Sequence, residues 1–256
     1  MDIWKLLFLT LLMLAALMTS SQNEFASVQL PAKRMDSYWV IPDDQGSICI
    51  QYFKKPYIYF EIYSRNGSRT VQIKEPFKYP PEIIGGTFSE GKYGFYYKPR
   101  SAKKDGDIGA FIIDGISHEL FEIQKHHIRS INAEEISGYL DNRTDFFVFI
   151  EIRGSSKLKI VRLNPLEKME ARQFDLPDMI SKLFPAAEPT LFVDPLAPKS
   201  IYNYQLKKKA YLKGRNIILT FDQKAQFKTY LWKIYWNSNN TELTSLPEEK
   251  MIFGKS

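Results

Sequence analysis

The chain contains a single cysteine, Cys49, in 256 residues. No disulfide can form within it, so its stability must come from packing. Cys49 lies in the apolar stretch Ser47–Phe53, where a cysteine most often acts as a small buried hydrophobic residue. Nothing in the local sequence suggests a base that would activate the thiol as a nucleophile. We therefore expect Cys49 to belong to the core.

Recognisable catalytic and cofactor motifs are also missing. The sequence has no Gly-rich phosphate loop, no Gly-x-Ser-x-Gly elbow and no Cys-x-x-Cys pair. His118, His126 and His127 lie within ten residues of one another, a grouping that suggests a metal site. His118 and His126 share strand parity, but the adjacent His126 and His127 would point to opposite faces of a strand and could not easily bind one ion. The sequence therefore predicts neither a metal ion nor a cofactor.

Long apolar runs are absent except at the N-terminus. Residues 6–18 are apolar apart from Thr10; Lys5 precedes them, and Thr19, Ser20 and Ser21 follow. This pattern is typical of a secretory signal peptide, and it is shorter than the roughly 20 residues that a membrane-spanning helix needs. We predict a signal peptide at residues 1–21, no membrane span after its cleavage, and a secreted chain, which would be periplasmic or released in a bacterium.

The charge of the chain is moderately basic, with a net charge of +6 and an isoelectric point near 9.1. Such a charge allows attraction to acidic glycans, lipid headgroups or nucleic acid, and export argues against nucleic acid. The partner that this composition favours is an extracellular protein or a glycan. The candidate surface-binding residues are the basic cluster Lys207, Lys208 and Lys209 and the pair His126 and His127.

Helical periodicity is nearly absent, and a β pattern takes its place. Runs rich in Ile, Val, Phe and Tyr alternate with turns that carry Gly, Asn, Asp, Ser and Pro. The runs form four sets of three: Ser47–Phe53, Tyr57–Tyr63 and Thr70–Ile73; Tyr93–Tyr97, Ile108–Asp114 and Glu119–Ile123; Asp145–Ile152, Lys157–Leu163 and Met169–Leu176; Asn216–Phe221, Phe227–Trp236 and Glu242–Leu246. A shorter run precedes each set: Tyr38–Ile41, Ile83–Phe88, Ile136–Leu140 and Ala210–Leu212.

Four strands repeated along the chain are typical of a β-propeller, whose blades are four-stranded antiparallel sheets. We predict an all-β fold in which residues 22–256 form a single propeller-like domain of about four blades. A β-sandwich or barrel is the alternative. The segment Phe25–Leu30 also alternates and is a candidate closing strand for the last blade. A deletion of residues 22–31 that left stability unchanged would exclude this role.

The repeat is interrupted near residues 177–209 by an irregular, Pro-rich insertion. It begins with a predicted helical turn, Asp178–Phe184, and continues with four prolines. Weaker strand-like runs at Thr190–Val193 and Ser200–Leu206 allow a second interpretation, in which the insertion is part of a degenerate extra blade.

Rows of aromatic residues and glycosylation sequons are the remaining candidate surface features of the sequence. In Tyr57–Tyr63, Ile58, Phe60 and Ile62 share one face, which predicts a half-exposed strand with its tyrosines and Glu61 on the other face. Exposed tyrosine rows bind sugars or proteins, although cross-strand packing explains most of them. Three glycosylation sequons, at Asn66, Asn142 and Asn239, fall in predicted turns, where asparagine is also favoured for conformational reasons alone.

The function that these observations favour is a secreted binding or interaction protein whose loops engage a partner. The alternative is a secreted, glycan-directed hydrolase with carboxylates contributed by several blades. Aspartates such as Asp43, Asp44, Asp114 and Asp145 lie near predicted turns, where this residue normally stabilises the backbone. The sequence identifies no catalytic residue, and the enzyme question stays open with the balance against catalysis.

Overall fold

The computed structural model describes residues 38–99, 107–128, 134–152, 154–183, 208–223 and 228–247. Within these residues the chain forms sixteen strands and one short helix. The strands are β1 Tyr38–Pro42, β2 Ile48–Lys54, β3 Tyr57–Tyr63, β4 Arg69–Pro76, β5 Glu82–Ser89, β6 Lys92–Lys98, β7 Asp107–Asp114, β8 Glu119–His127, β9 Glu134–Asp141, β10 Phe146–Ile152, β11 Lys157–Leu163, β12 Glu170–Asp175, β13 Lys208–Lys213, β14 Asn216–Gln223, β15 Lys228–Tyr235 and β16 Asn240–Pro247. The helix α1, Asp178–Leu183, follows β12 and agrees with the predicted helical turn.

The strands form four antiparallel sheets, each made of four strands that are consecutive in the chain: β1–β4, β5–β8, β9–β12 and β13–β16. We call these sheets blades 1 to 4. Each predicted set of runs, with the shorter run before it, corresponds to one blade. Apolar alternation and turn residues therefore located every strand that the described residues form.

The blades follow one another face to face. The first strand of each blade contacts the first strand of the next, so that β1, β5, β9 and β13 form an inner row. A hydrophobic core fills each of the three spaces between successive blades. Phe60 and Phe95 meet between blades 1 and 2, Tyr96 and Phe146 between blades 2 and 3, and Phe147 and Trp236 between blades 3 and 4. This arrangement is propeller-like and confirms the predicted fold class.

Two glycines in β5 allow the inner strands to approach closely. A Cβ atom on Gly86 would lie 2.7 Å from Ile41 Cδ1 in β1, and one on Gly85 would lie 2.2 Å from the Phe146 ring in β10. Both contacts are shorter than real Cβ contacts, so an alanine at Gly85 must displace the buried Phe146 ring and one at Gly86 must displace the side chain of Ile41.

The face of blade 1 that is turned away from blade 2 differs from the prediction. Ile58, Phe60 and Ile62 are buried in the core as expected, but Glu61 on the opposite face is also buried, with no exposed surface. Tyr52 Oη donates a 2.9 Å hydrogen bond to Glu61 Oε1, and Tyr63 Oη donates one of 2.5 Å to Oε2. Tyr52 and Tyr63 thus enclose the carboxylate of Glu61. Strand alternation alone does not predict this burial.

Cys49 is buried in the core and has no exposed surface. This burial raises the pKa of its thiol. This confirms its predicted role as a core residue. The predicted signal peptide, the candidate closing strand Phe25–Leu30 and the strand-like runs at 190–193 and 200–206 lie outside the described residues. Among the described residues, no helix is long and apolar enough to cross a membrane.

Candidate binding sites

An ion network centred on the buried Asp145 and Arg162 fixes the turn between β11 and β12 and joins blade 3 to blade 4. Asp145, which is fully buried, accepts hydrogen bonds from Arg162 Nη1 at 2.8 Å and from Arg215 Nε, in the β13–β14 turn, at 3.0 Å. Glu167 accepts from Arg162 and, at 3.0 Å, from Arg215 Nη2. Asn164 also holds the turn, because its Oδ1 accepts a hydrogen bond from the Leu166 N–H at 2.9 Å.

The network keeps its carboxylates ionised. Burial by itself would raise the pKa of Asp145, but hydrogen bonds from Arg162, Asn164 and Thr144 and the charge of Arg215 hold that pKa below its ordinary value. The hydrogen bond from Arg162 likewise lowers the pKa of Glu167 against the opposite effect of burial. The β11–β12 turn is therefore held by charged contacts that persist at neutral pH, and its outward-facing side chains project from a backbone of fixed conformation.

The first candidate site is a groove of about 570 Å³ between blades 2 and 3, which we call the rim groove. Its lining residues come from β6 and β8 of blade 2 and from the β11–β12 turn of blade 3: Lys92, Phe121, Gln124, Lys125, His126, Pro165, Leu166, Glu167, Lys168 and Met169. Gly94 brings the two blades together here, since a Cβ atom at that position would lie 2.9 Å from Pro165.

The rim groove combines exposed apolar surface with positive charge. Phe121, Leu166 and Met169 are exposed by 58%, 39% and 42%. Lys125 and Lys168 are exposed beside them, and neither forms an ion pair with another described residue. By contrast, the one carboxylate of the groove, Glu167, is neutralised by its two arginines.

Lys92 shows how the groove holds its aromatic residue. Its Nζ lies 3.5 Å from the centre of the Phe121 ring and 3.3 Å from Asp114 Oδ2. The cation–π contact and the ion pair together fix one face of the ring. The exposed remainder of the ring is available to a partner.

The second candidate site, the axial cleft, lies along the inner strands and has a volume of about 830 Å³. It is lined by all five residues of β1, Tyr38–Pro42, and by Gly86, Asp141 and Arg143. Asp141 Oδ2 accepts a 2.8 Å hydrogen bond from the Gly86 N–H, which ties β9 to β5. Arg143 Nη2 donates to the Asp43 carbonyl oxygen at 2.7 Å and lies 2.5 Å from Asp44 Oδ1.

The structure separates the histidines that the sequence grouped. His126 lines the rim groove, with its Nε2 3.0 Å from Gln124 Oε1, whereas His127 Nδ1 lies 2.5 Å from Asp107 Oδ1. His118 is not on a strand: it lies in the β7–β8 turn with a left-handed backbone, φ 61°. The parity argument that grouped His118 with His126 therefore fails. Among the described residues, no group of three or more His, Cys, Asp or Glu side chains is placed to hold a metal ion.

Of the basic cluster, Lys208 and Lys209 open the inner strand β13 of blade 4, and neither lines the rim groove or the axial cleft. Lys207 lies outside the described residues. Sequence reasoning missed Phe121, Leu166 and Met169, which the fold brings to one groove from separate blades. Apolar residues at a strand and a turn gave no signal of binding, because their exposure depends on the neighbouring blade.

The three sequons lie in turns, as predicted, but in different environments. Asn66 and Asn239 are exposed, and Asn239 lies in a shallow cleft of about 460 Å³ beside Arg172. Asn142 is only partly exposed, and its Nδ2 donates a 2.8 Å hydrogen bond to the Gly214 carbonyl oxygen in blade 4. Its amide nitrogen is thus engaged in a contact between blades.

Aspartates that were weighed as hydrolytic candidates have structural contacts. Asp43 Oδ1 accepts from the N–H groups of Gln45 and Ser47, at 2.8 and 2.7 Å. Asp114 Oδ1 accepts from the N–H groups of Ile116 and Ser117, and the Ser117 contact lowers its pKa. These are turn-stabilising roles of the kind that the sequence indicated.

Comparison with known proteins adds similarity of fold alone. No protein-family model and no curated protein matches the chain. Among solved structures, the chain is similar to the Dos1 propeller, with a TM-score of 0.42 and 10% identity over 87% of this chain and 50% of that one. It is also similar to an apocarotenoid oxygenase from Synechocystis, with a TM-score of 0.41 and 10% identity over 88% and 52%.

A protein from Lactobacillus plantarum gives a TM-score of 0.40 and 8% identity over 91% of this chain and 60% of that one. The chain thus spans about half to three fifths of the length of these three structures. Similarities of this size carry no information about ligand or activity.

Proposed function

We propose that this protein is a secreted interaction protein whose rim groove binds an acidic, partly apolar segment of an extracellular partner protein. The observation that carries the proposal is the exposed apolar group Phe121, Leu166 and Met169, flanked by Lys125 and Lys168. Clustered exposed apolar side chains mark interaction sites in many proteins. The signal-like N-terminus supports export.

The composition of the groove defines the partner. Aromatic and long apolar side chains supply most of the binding energy at protein interfaces, and charges at the rim select the partner and speed its approach. Two lysines that form no ion pair with another described residue favour carboxylates on that partner. The backbone of the β11–β12 turn needs little ordering on binding, because the network around Asp145 already holds it.

The test uses purified residues 22–256 and a fluorescent synthetic peptide that alternates Glu and Leu. Leu166→Ser is expected to weaken binding about tenfold, as loss of an interface anchor does. Leu246→Ser is the matched control, since Leu246 in blade 4 is exposed by 44% and Leu166 by 39%. Fluorescence anisotropy gives both affinities. Equal affinities for the two variants, or no binding by the unaltered protein, would contradict the proposal.

A further inference from the structure

The axial cleft has the form of a ligand site separate from the rim groove. All five residues of β1 line it, so the strand presents its edge as well as its side chains. Among the described strands β1 pairs with β2 alone, so the backbone N–H and C=O groups on its other edge have no strand partner in this part of the chain. Such groups bind hydroxyl and amide groups of a ligand.

An apolar surface lies along the same edge. Tyr38 is exposed by 59% and Val40 by 39%, while Trp39 is partly buried with its indole over Gly86. Tyrosine and tryptophan present a flat apolar face together with a polar atom. This combination suits a pyranose ring, which has an apolar face and a hydroxylated edge.

Arg143 supplies the charged end of the cleft. Arg143 Nη2 contacts the Asp43 carbonyl oxygen and the Asp44 carboxylate. Among the described residues, Nε and Nη1 of Arg143 have no partner. The ion pair with Asp44 is weak, since the two side chains are exposed by 55% and 65%. A ligand carboxylate could therefore take the guanidinium in the bidentate geometry that arginine favours.

From these contacts we infer that the axial cleft binds a carboxylated sugar of an acidic glycan. The carboxylate binds Arg143, the ring lies on Tyr38, and the hydroxyl groups bind the edge of β1 and Asp141. The net charge of +6 favours the approach of such a polyanion. A peptide strand is a poorer occupant, because the edge is only five residues long and ends at Pro42, which has no N–H group.

The test is titration calorimetry of residues 22–256 with hyaluronan oligosaccharides, in which glucuronate alternates with N-acetylglucosamine. Chitin oligosaccharides, which lack the carboxylate, are the matched probe. The unaltered protein is expected to bind hyaluronan at least about tenfold more tightly than chitin. Equal affinity for the two sugars, binding of neither, or preference for the acidic Glu–Leu peptide at this cleft would overturn the inference.

Two substitutions move the affinity in opposite directions. Arg143→Gln is expected to weaken hyaluronan binding about tenfold, whereas Asp44→Asn is expected to strengthen it several-fold by freeing the guanidinium. The Asp44 variant keeps Arg143 and its contact with Asp43, so it stays informative if Arg143→Gln folds poorly. Leu166→Ser should leave sugar binding unchanged, which separates this inference from the proposed protein partner. An Asp44→Asn variant with unaltered or weaker binding would count against it.

Discussion

At the scale of single residues, Asp145 shows how the fold accommodates a buried charge. It accepts hydrogen bonds from Arg162 and Arg215, and Arg162 is itself only 6% exposed. Removal of the Asp145 charge would leave Arg162 paired, among the described residues, with the partly exposed Glu167 and Glu170 alone. The contacts of Asp145 thus hold the turn that displays the rim groove and join it to blade 4.

The first prediction concerns Asp145→Asn, which is expected to destabilise the protein by about 1.5–3 kcal/mol, because charged hydrogen bonds are lost while Glu167 still pairs with both arginines. Urea unfolding at pH 7 measures the change in the free energy of unfolding. Asp44→Asn is the control, because it removes an exposed ion pair worth about 1 kcal/mol or less. Similar losses in the two variants would show that the buried network is not a main support of the fold.

The second prediction is the dependence of stability on pH. The folded state holds the pKa of Asp145 and that of Glu61 below their ordinary values, despite the opposing effect of burial. This stabilisation is complete above the unfolded pKa values of about 3.9 and 4.3, and it is lost as the pH falls through the lower folded values. Urea midpoints should therefore decline below about pH 4, and less steeply in Asp145→Asn than in the unaltered protein. Parallel declines would refute the assignment to Asp145.

At the scale of strands and turns, prediction from the sequence succeeded where the information is local. Apolar alternation and turn residues located β3, with Ile58 and Phe60 in the core. The same reasoning failed for Glu61, because the side chain of Tyr52, on another strand, buries it. It also failed for His118, which lies in a turn with a left-handed backbone and so does not share the alternation of β8. The sequence did not predict the rim groove, because Phe121 and Leu166 come together only through the packing of two blades.

The third prediction tests the close approach of β5 in blade 2 to β10 in blade 3. Gly85→Ala would place a Cβ atom 2.2 Å from the buried Phe146 ring and is expected to destabilise the protein by about 1–3 kcal/mol. Phe146→Leu should relieve part of that contact, so the double variant should lose less stability than the sum of the two single variants. Gly214→Ala is the comparison: its φ of +61° strains an alanine, but the added Cβ atom meets nothing within 4 Å, so its effect should combine additively with Phe146→Leu. An additive result for Gly85 would contradict the packing.

At the scale of the whole molecule, four blades in succession create surfaces that no single blade possesses. The rim groove needs blades 2 and 3 together, and the axial cleft needs the inner strands of blades 1, 2 and 3. Loops and edges at such junctions carry the function of many scaffolds while the sheets hold them in place. This division explains why the fold class could be predicted from the sequence while the sites could not.

The fourth prediction concerns export and modification in a eukaryotic host. We expect the secreted chain to begin at Gln22 and to carry N-glycans at the exposed Asn66 and Asn239. Asn142 should stay unmodified, since its amide nitrogen is bonded to Gly214. Mass spectrometry of the secreted protein before and after glycosidase treatment measures both features. A secreted protein that retains residues 1–21 would contradict the predicted signal peptide. A glycan on Asn142 would contradict the predicted difference between this sequon and those at Asn66 and Asn239.

The most direct test of the proposed function is a charge exchange in the rim groove. Residues 22–256 and the double variant Lys125→Glu, Lys168→Glu are each titrated with the Glu–Leu peptide and with a matched Lys–Leu peptide. If the groove selects an acidic partner, the unaltered protein prefers the Glu–Leu peptide and the variant prefers the Lys–Leu peptide. If both proteins show the same preference, the lysines do not define the partner and the rim groove is not the binding site.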